Sequence, residues 1–263
     1  MDLTLKINDL IMAEISIIMP AYNASEFIEE TIQSVLAQSF DDWELLITDD
    51  GSDDHTVEII QQSFLKDSRV KLLKNECGKG PAAARNNSIN QSTGDYIAFL
   101  DSDDLWKPTK LETHLLFMKN LGSDFSYTGY NHISACSEFM KKIEVPESIG
   151  HKSLLTGNVI ATATVMLRRA AFSDLTIPDF PRAQDFALWL KLLRQVPEAN
   201  GLQSVLSDYR ITPNTGNRRK IYALKYLYDI YTQQEKKSPA SACALISRMY
   251  FHRLIKYRTR RSS

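Results

Sequence analysis

Two short acidic turns carry the residues best suited to chemistry. Asp49-Asp50-Gly51-Ser52 and Asp101-Ser102-Asp103-Asp104 each end an apolar run, Leu45 to Ile47 and Tyr96 to Leu100, that reads as a buried β-strand. A D-x-D triplet at a strand end suits Mg2+ or Mn2+, because hard oxygen donors match these ions and a short loop aims alternate side chains at one point. A solvated turn is the bland alternative. An EF-hand is excluded: Asp101, Asp103 and Glu112 stand at its positions 1, 3 and 12, but Leu105 and Trp106 occupy a ligand position and the turn glycine. In the first turn, Asp and Gly are the residues favoured where a strand bends into a helix, while a buried carboxylate there could instead accept the imide hydrogen of uracil or thymine. Gly78-Lys79-Gly80-Pro81 is no phosphate-cradling loop, since GxGxxG fails at Ala83 and GxxxxGK[ST] is absent.

Helix-like segments follow both turns. Ile15 to Met19, Trp43 to Thr48, Val70 to Leu73 and Tyr96 to Leu100 read as strands, and they alternate with helices over Glu26 to Ala37, Thr56 to Leu65 and Pro81 to Gln91. The first helix is expected to start through Asn23 or Ser25. Such alternation implies a parallel, doubly wound sheet, in which ligands bind at the strand ends, so both acidic turns are expected to face one crevice. The second half reads as a helix from Pro108 to Leu121, strands over Asp124 to Tyr130 and Val159 to Leu167, and an amphipathic helix from Ala183 to Val196. A last strand over Val205 to Ile211 and two basic helical stretches complete it.

At 263 residues, 43% hydrophobic and 24% charged, the chain has the composition of a soluble globular protein, and a net charge of −1 argues against wholesale nucleic-acid binding. Cys77, Cys136 and Cys243 lack ligand spacing and are odd in number, which argues against a disulfide framework or structural zinc and fits a reduced cytoplasm. The five histidines show no ligand or triad spacing, and Trp43, Trp106 and Trp189 sit in apolar patterns that suit core or pocket wall. Arg210, Asn214, Arg218 and Arg219 follow the last strand, where they would clamp a diphosphate or form a solvated turn. No run has the roughly 18 to 20 apolar residues of a membrane span, and Met1 to Met12 lacks the pattern of a signal peptide, so neither insertion nor export by that route is expected.

Four ordered strings carry a resemblance: Ile17-Ile18-Met19-Pro20-Ala21-Tyr22-Asn23, Asp49-Asp50-Gly51-Ser52, Gly80-Pro81-Ala82-Ala83-Ala84-Arg85-Asn86, and Gly94 through Asp104. In order and spacing they resemble the family 2 inverting glycosyltransferases over about Ile15 to Arg210, in particular bacterial transferases that build surface polysaccharides of the teichuronic-acid type. The resemblance implies a GT-A fold: a Rossmann-like, mostly parallel sheet with helices on both faces, plus a C-terminal helical tail. Residues 13–215 would form the transferase domain, with a nucleotide-binding half over 13–106 and an acceptor half over 107–215, and residues 216–263 the basic tail. It further implies that Pro20, Ala21 and Tyr22 line the nucleotide pocket, that Asp50 holds the base, and that Arg85 lies near base or diphosphate. Asp101, with Ser102, would contact the ribose or a metal-bound water, and Asp103 would hold Mg2+ or Mn2+. Gln184-Asp185-Phe186 resembles the motif that supplies the base for an inverting transfer; many relatives have Glu-Asp there, so Gln184 leaves Asp185 as the acid. By position alone Asp185 could simply stabilise a helix N-terminus.

The expected partners are a nucleotide-sugar donor, most readily a UDP-sugar, and a saccharide or lipid-linked saccharide acceptor. A sugar-phosphate nucleotidyltransferase is the enzymatic alternative, but Pro20-Ala21-Tyr22-Asn23 is not its glycine-rich loop; a non-catalytic nucleotide-sugar-binding protein is the other. From Gly216 onward twelve Lys and Arg face only Asp229 and Glu235. That charge, and an apolar side made by Ala242, Leu245, Ile246, Met249, Tyr250, Leu254 and Tyr257, would hold the enzyme peripherally against the anionic inner face of the plasma membrane, Arg253 snorkelling outward beside Arg248, His252 and Lys256. Packing of the same helices on protein is the alternative.

Overall fold

The computed structural model describes residues 13–75, 78–212 and 220–259, with backbone alone at 220–223 and 251–259. Strands β1 (Ile15–Ala21), β2 (Trp43–Asp49), β3 (Val70–Lys74) and β4 (Tyr96–Phe99) alternate with helices α1 (Ile28–Leu36), α2 (Thr56–Ser63) and α3 (Pro81–Gln91). The second half adds β5 (Leu105–Trp106), α4 (Lys110–Leu121), β6 (Phe125–Ser134), β7 (Phe139–Ile143), β8 (Ser148–Ile149), α5 (His151–Leu154), β9 (Met166–Arg168), α6 (Gln184–Leu192) and β10 (Ala199–Ile211). The tail comprises α7 (Lys220–Asp229), a π-turn over Ile230–Gln234, and α8 (Pro239–Thr259). One sheet runs in the order β3-β2-β1-β4-β9-β6-β10-β5, with β7 on β6 and β8 on β10. Its long ladders, β3-β2-β1-β4 and β6-β10, are parallel, and the short strands β5, β7, β8 and β9 are antiparallel.

Strand alternation divides the interior into two cores. Ile15, Ile17 and Met19 of β1, with Leu45 and Ile47 of β2, pack against Ile28, Ile32 and Val35 of α1 and Leu111, Leu115 and Met118 of α4. On the other face Ile18, Leu46, Ile97 and Phe99 meet Ala82 and Ile89 of α3 and the buried side of α6. Helices thus cover both faces, and β1 and β2 read as nearly unbroken apolar runs because both faces are buried. At the start of β4, Gly94 is required: a Cβ there would lie 2.6 Å from the Ser16 amide nitrogen.

Several local expectations are corrected. The apolar run 159–167 is not one strand, since a 3₁₀ turn over Thr162–Thr164 interrupts it and only Met166–Arg168 pairs. Neither Asn23 nor Ser25 caps α1, whose N-cap is Phe27 with no side-chain bond. Instead Asn23 accepts the Asp53 amide (3.0 Å) and donates its own to Ser52 Oγ (3.0 Å), tying β1 to the first acidic turn. All three tryptophans are core residues, 3% exposed or less. Cys136 and Cys243 are free thiols, and Cys77 lies outside the described residues.

The tail is part of the fold. Tyr231 packs edge-on against Phe186 (6.1 Å) and donates to the Leu155 carbonyl (2.6 Å), Gln234 donates to the Ala187 carbonyl (2.8 Å), and buried Glu235 pairs with His151 (2.9 Å) and Arg194 (2.7 Å). In α8, Ala242 and Met249 are buried and Leu245 and Ile246 pack against the same core, so at these four positions the apolar side faces protein, not a bilayer. The side chains of His252, Arg253, Leu254, Lys256 and Tyr257, like Asn214, Arg218 and Arg219, lie outside the described residues. Among the described residues no helix is long and apolar enough to cross a membrane.

Candidate active site

The two aspartates of the first turn have different jobs. Asp49 is consumed locally, accepting the Gly51 amide (3.0 Å), the Ser52 amide (3.2 Å) and the Ser52 hydroxyl (2.6 Å), while Gly51 takes the left-handed conformation the turn needs (φ 87°). Asp50 is thereby aimed away from its own loop. Its amide bonds the Ala21 carbonyl (2.8 Å), and its carboxylate accepts Asn75 Nδ2 and the Gly80 amide, both at 2.6 Å. It therefore joins the ends of β1 and β2 to the start of α3. Pro20 is half-buried beside it and Ala21, 1% exposed, turns its methyl into the core, leaving only backbone for a ligand, whereas Tyr22 is 59% exposed at the rim.

The second turn is built from below. Thr31 of α1 donates to the Ser102 carbonyl (3.1 Å), the Asp104 amide bonds the Asp101 carbonyl (3.2 Å), and Asp104 accepts the Arg210 amide (2.9 Å). Arg85 of α3 pairs through Nη2 with Asp101 Oδ1, and its Nε is buried without a partner. Burial and the neighbouring Asp101 charge push the Asp103 carboxyl up to about 6, and the same causes, joined by Asp103, push buried Asp104 well above the carboxylate range. Asp104 Oδ2 is buried without a hydrogen-bond partner. Crowded carboxylates whose charge is disfavoured, and an unpaired carboxylate oxygen, are what a divalent cation relieves, so the turn fits one. Among the described residues no three His, Cys, Asp or Glu side chains form a complete cage.

Arg210 is neither diphosphate clamp nor solvated turn. At 1% exposure it donates from Nε to the Asp103 carbonyl (2.7 Å), from Nη1 to the Ala135 carbonyl (2.9 Å) and Ser137 Oγ (2.8 Å), and from Nη2 to Glu30 (2.7 Å), with its guanidinium 4.7 Å from the Phe27 ring centroid. It fastens the acidic turn to α1 and to the β6–β7 turn. Arg210→Met should lower the unfolding free energy by about 2–3 kcal/mol, because it removes the donors to the Asp103 and Ala135 carbonyls, while the half-exposed Glu30 carboxylate adds little. Urea titration checks this; a loss below about 1 kcal/mol would contradict it.

Asp185 reaches the same place from the other half. Ala183 takes a left-handed conformation (φ 55°) before the first turn of α6, a strained geometry that costs roughly 1–3 kcal/mol and directs Gln184 and Asp185 into the helix start. Gln184 is occupied with the Phe180 carbonyl (2.7 Å), while Asp185 lines the cleft and accepts a long bond from Asn158 (3.3 Å). Burial pushes its carboxyl up. The helix is held by Trp189, which packs on Phe99 (5.6 Å) and Phe125 (5.4 Å), so the base candidate is braced against the strand that ends two residues before Asp101. Arg85, Asp101 and Asp185 line one cavity of about 710 Å³, with Tyr130, Tyr209 and the 158–162 loop.

A twisted sheet with a carboxylate turn at the end of its fourth strand and a second acid facing it across a cleft is the GT-A frame of a nucleotide-sugar transferase. The description "Glycosyl transferase family 2" matches residues 16–176, and the chain belongs to that family. It is 38% identical over 223 residues to TuaG of Bacillus subtilis, named as a teichuronic acid biosynthesis glycosyltransferase, covering 84% of this chain and 88% of that one. It is likewise 38% identical over 218 residues to WfgD of Escherichia coli, a UDP-Glc:alpha-D-GlcNAc-diphosphoundecaprenol beta-1,3-glucosyltransferase, covering 82% and 84%. Among solved structures the fold is shared with TarS 1-349 of S. aureus in complex with UDP-GlcNAc (TM-score 0.69, 18% identity, 90% and 71% coverage). It is also shared with the mannosyltransferase PcManGT of Pyrobaculum calidifontis in complex with GDP-Man and Mn2+ (0.69, 16%, 92% and 70%). The protein is a glycosyltransferase, and these likenesses favour neither the nucleotidyltransferase nor the non-catalytic alternative.

Proposed function

We propose that this glycosyltransferase moves a sugar, with inversion, from a UDP-sugar to a saccharide carried on a lipid diphosphate, as a step in bacterial surface polysaccharide synthesis. The observation that carries this reading is that Asp185, from the second half, and the Arg85–Asp101 pair, from the first, line one cavity. In this reading residues 13–106 hold the donor and 107–215 the acceptor. Pro20, the Ala21 backbone and the Tyr22 ring flank the base, and Asp50 accepts its imide hydrogen in exchange for one of its present partners. Arg85, Asp101 and Ser102 lie at the ribose and diphosphate. Asp103 would hold Mg2+ or Mn2+, which when bound offsets the charge of the departing nucleoside diphosphate. Asp185 accepts the proton of the acceptor hydroxyl as its oxygen attacks the anomeric carbon from the face opposite the diphosphate; the carbon–oxygen bond to UDP breaks, and the configuration inverts. The lipid-linked acceptor is suggested by the name of WfgD, and the UDP donor by the names of WfgD and the TarS complex.

Incubation with UDP-glucose, manganese and an N-acetylglucosaminyl diphosphate bearing an undecyl tail should release UDP and yield a β-linked disaccharide by NMR. An α-linked product would overturn inversion, and absence of both UDP binding and UDP release would overturn the donor. We further propose a cytoplasmic enzyme that rests on the membrane's inner face. With the described apolar positions of α8 committed to the core, attraction by the tail is electrostatic, roughly 1 kcal/mol for each Lys or Arg close to an anionic surface. The protein should therefore sediment with phosphatidylglycerol vesicles at low salt and be released at high salt. Protein that stays in the supernatant at low salt is not held by its tail.

A further inference from the structure

No sequence motif contains Tyr130, His132 or Tyr209. The sheet brings them together. β6 and β10 run parallel with His132 paired to Tyr209, and Tyr130 lies two residues back on the same face. Their ring centroids form a triangle of 5.6, 5.8 and 6.2 Å. The opposite face is fastened independently, where Asn131 (2.8 Å) and Lys107 (2.6 Å) both bond Asp208. Tyr130 and Tyr209 line the cavity and His132 packs against both. Burial and the nearby Lys141 charge lower the His132 pKa.

Position sets what these rings would meet. Tyr209 lines the same cavity as Asp101 of the acidic turn and Asp185, the base candidate. Both tyrosines are half-buried, and neither hydroxyl has a hydrogen-bond partner among the described residues. An aromatic face with a free hydroxyl beside it matches a pyranose, which offers an apolar C–H face and a rim of hydroxyls. The donor's diphosphate belongs with Arg85 and Asp103, and an inverting attack comes from the opposite side. Sharing the cavity with Asp185, which in the reading above meets the acceptor hydroxyl, the pyranose over the tyrosines is assigned to the acceptor.

We propose that Tyr130 and Tyr209, braced by His132, are the platform on which the acceptor sugar stacks, and that they set acceptor affinity. This rests on the transferase reading above. The test is saturation-transfer NMR on the full chain with UDP and manganese, using the undecyl-tailed N-acetylglucosaminyl diphosphate as probe. The parent protein should saturate the pyranose ring protons. Tyr130→Ala and Tyr209→Ala should each lose most of that signal and raise the acceptor KM about tenfold or more, with calorimetric UDP affinity within twofold of the parent. Tyr209→Phe, which keeps the ring and removes only the hydroxyl, should retain the ring-proton signal while raising KM by a smaller factor. If the parent binds UDP but the alanine variants keep the signal and KM, or the parent shows no pyranose contact, the platform is wrong. If the parent binds no UDP with manganese, the donor reading has failed and this proposal falls with it.

Discussion

Asp185→Asn should lower kcat by about 10²- to 10⁴-fold while UDP-sugar binding stays near that of the parent, because the amide preserves shape and loses only the ability to take a proton. The pH profile supplies a second readout. Burial raises the Asp185 pKa, and a base works only when deprotonated, so kcat/KM is full above the raised pKa and falls as pH is lowered through it. The acid limb should therefore lie higher than an ordinary aspartate would place it, and should be absent from the residual activity of the asparagine variant. If that variant kept near-normal transfer with an unchanged acid limb, another group would be the base.

Asp103→Ala should remove metal-dependent UDP binding from a protein that still folds. Its carboxyl is pushed up to about 6 by burial and by Asp101, so the bare site disfavours a charge that a divalent ion would restore, and losing the carboxylate stabilises the bare fold as it abolishes the ion's anchor. The expected calorimetric result is a loss of at least 10²-fold in UDP affinity with manganese and little change without it. Circular dichroism should show native secondary structure. A variant that bound UDP with manganese as the parent does would remove Asp103 as the metal ligand.

Much of this site was legible because it is local. Apolar runs of strand length that end in Asp-Asp-Gly-Ser and Asp-Ser-Asp-Asp announce strand ends by composition alone, although of the two turns it is the second, through Asp101, that lines the cavity. The division of labour within each turn was less legible. Asp49 and Asp50 are chemically identical, and only the backbone path shows that one closes the turn while the other reaches Asn75 and Gly80. The run 159–167 has the apolar character of a strand, but a 3₁₀ turn breaks it and leaves three residues to pair. The charged edge strand β7 gave no alternating signal, since all but its last residue are exposed.

By itself the chain's sequence determined the frame: the parallel first half, the acidic turns at its strand ends and the helix that begins at Gln184 and Asp185. These are properties of periodicity and turn chemistry within a few residues of each other. Tertiary structure decided everything that depends on residues far apart in the chain. It buried Arg210 beneath the acidic turn, 106 residues from Asp104, and it set Tyr209 beside His132. It also turned α8 toward the core. An amphipathic helix has the same pattern whether its apolar side meets lipid or protein, and an arginine has the same letter whether it clamps a phosphate or holds a loop. What distinguishes these cases is the set of surfaces available to be covered, and that exists only once the sheet has formed.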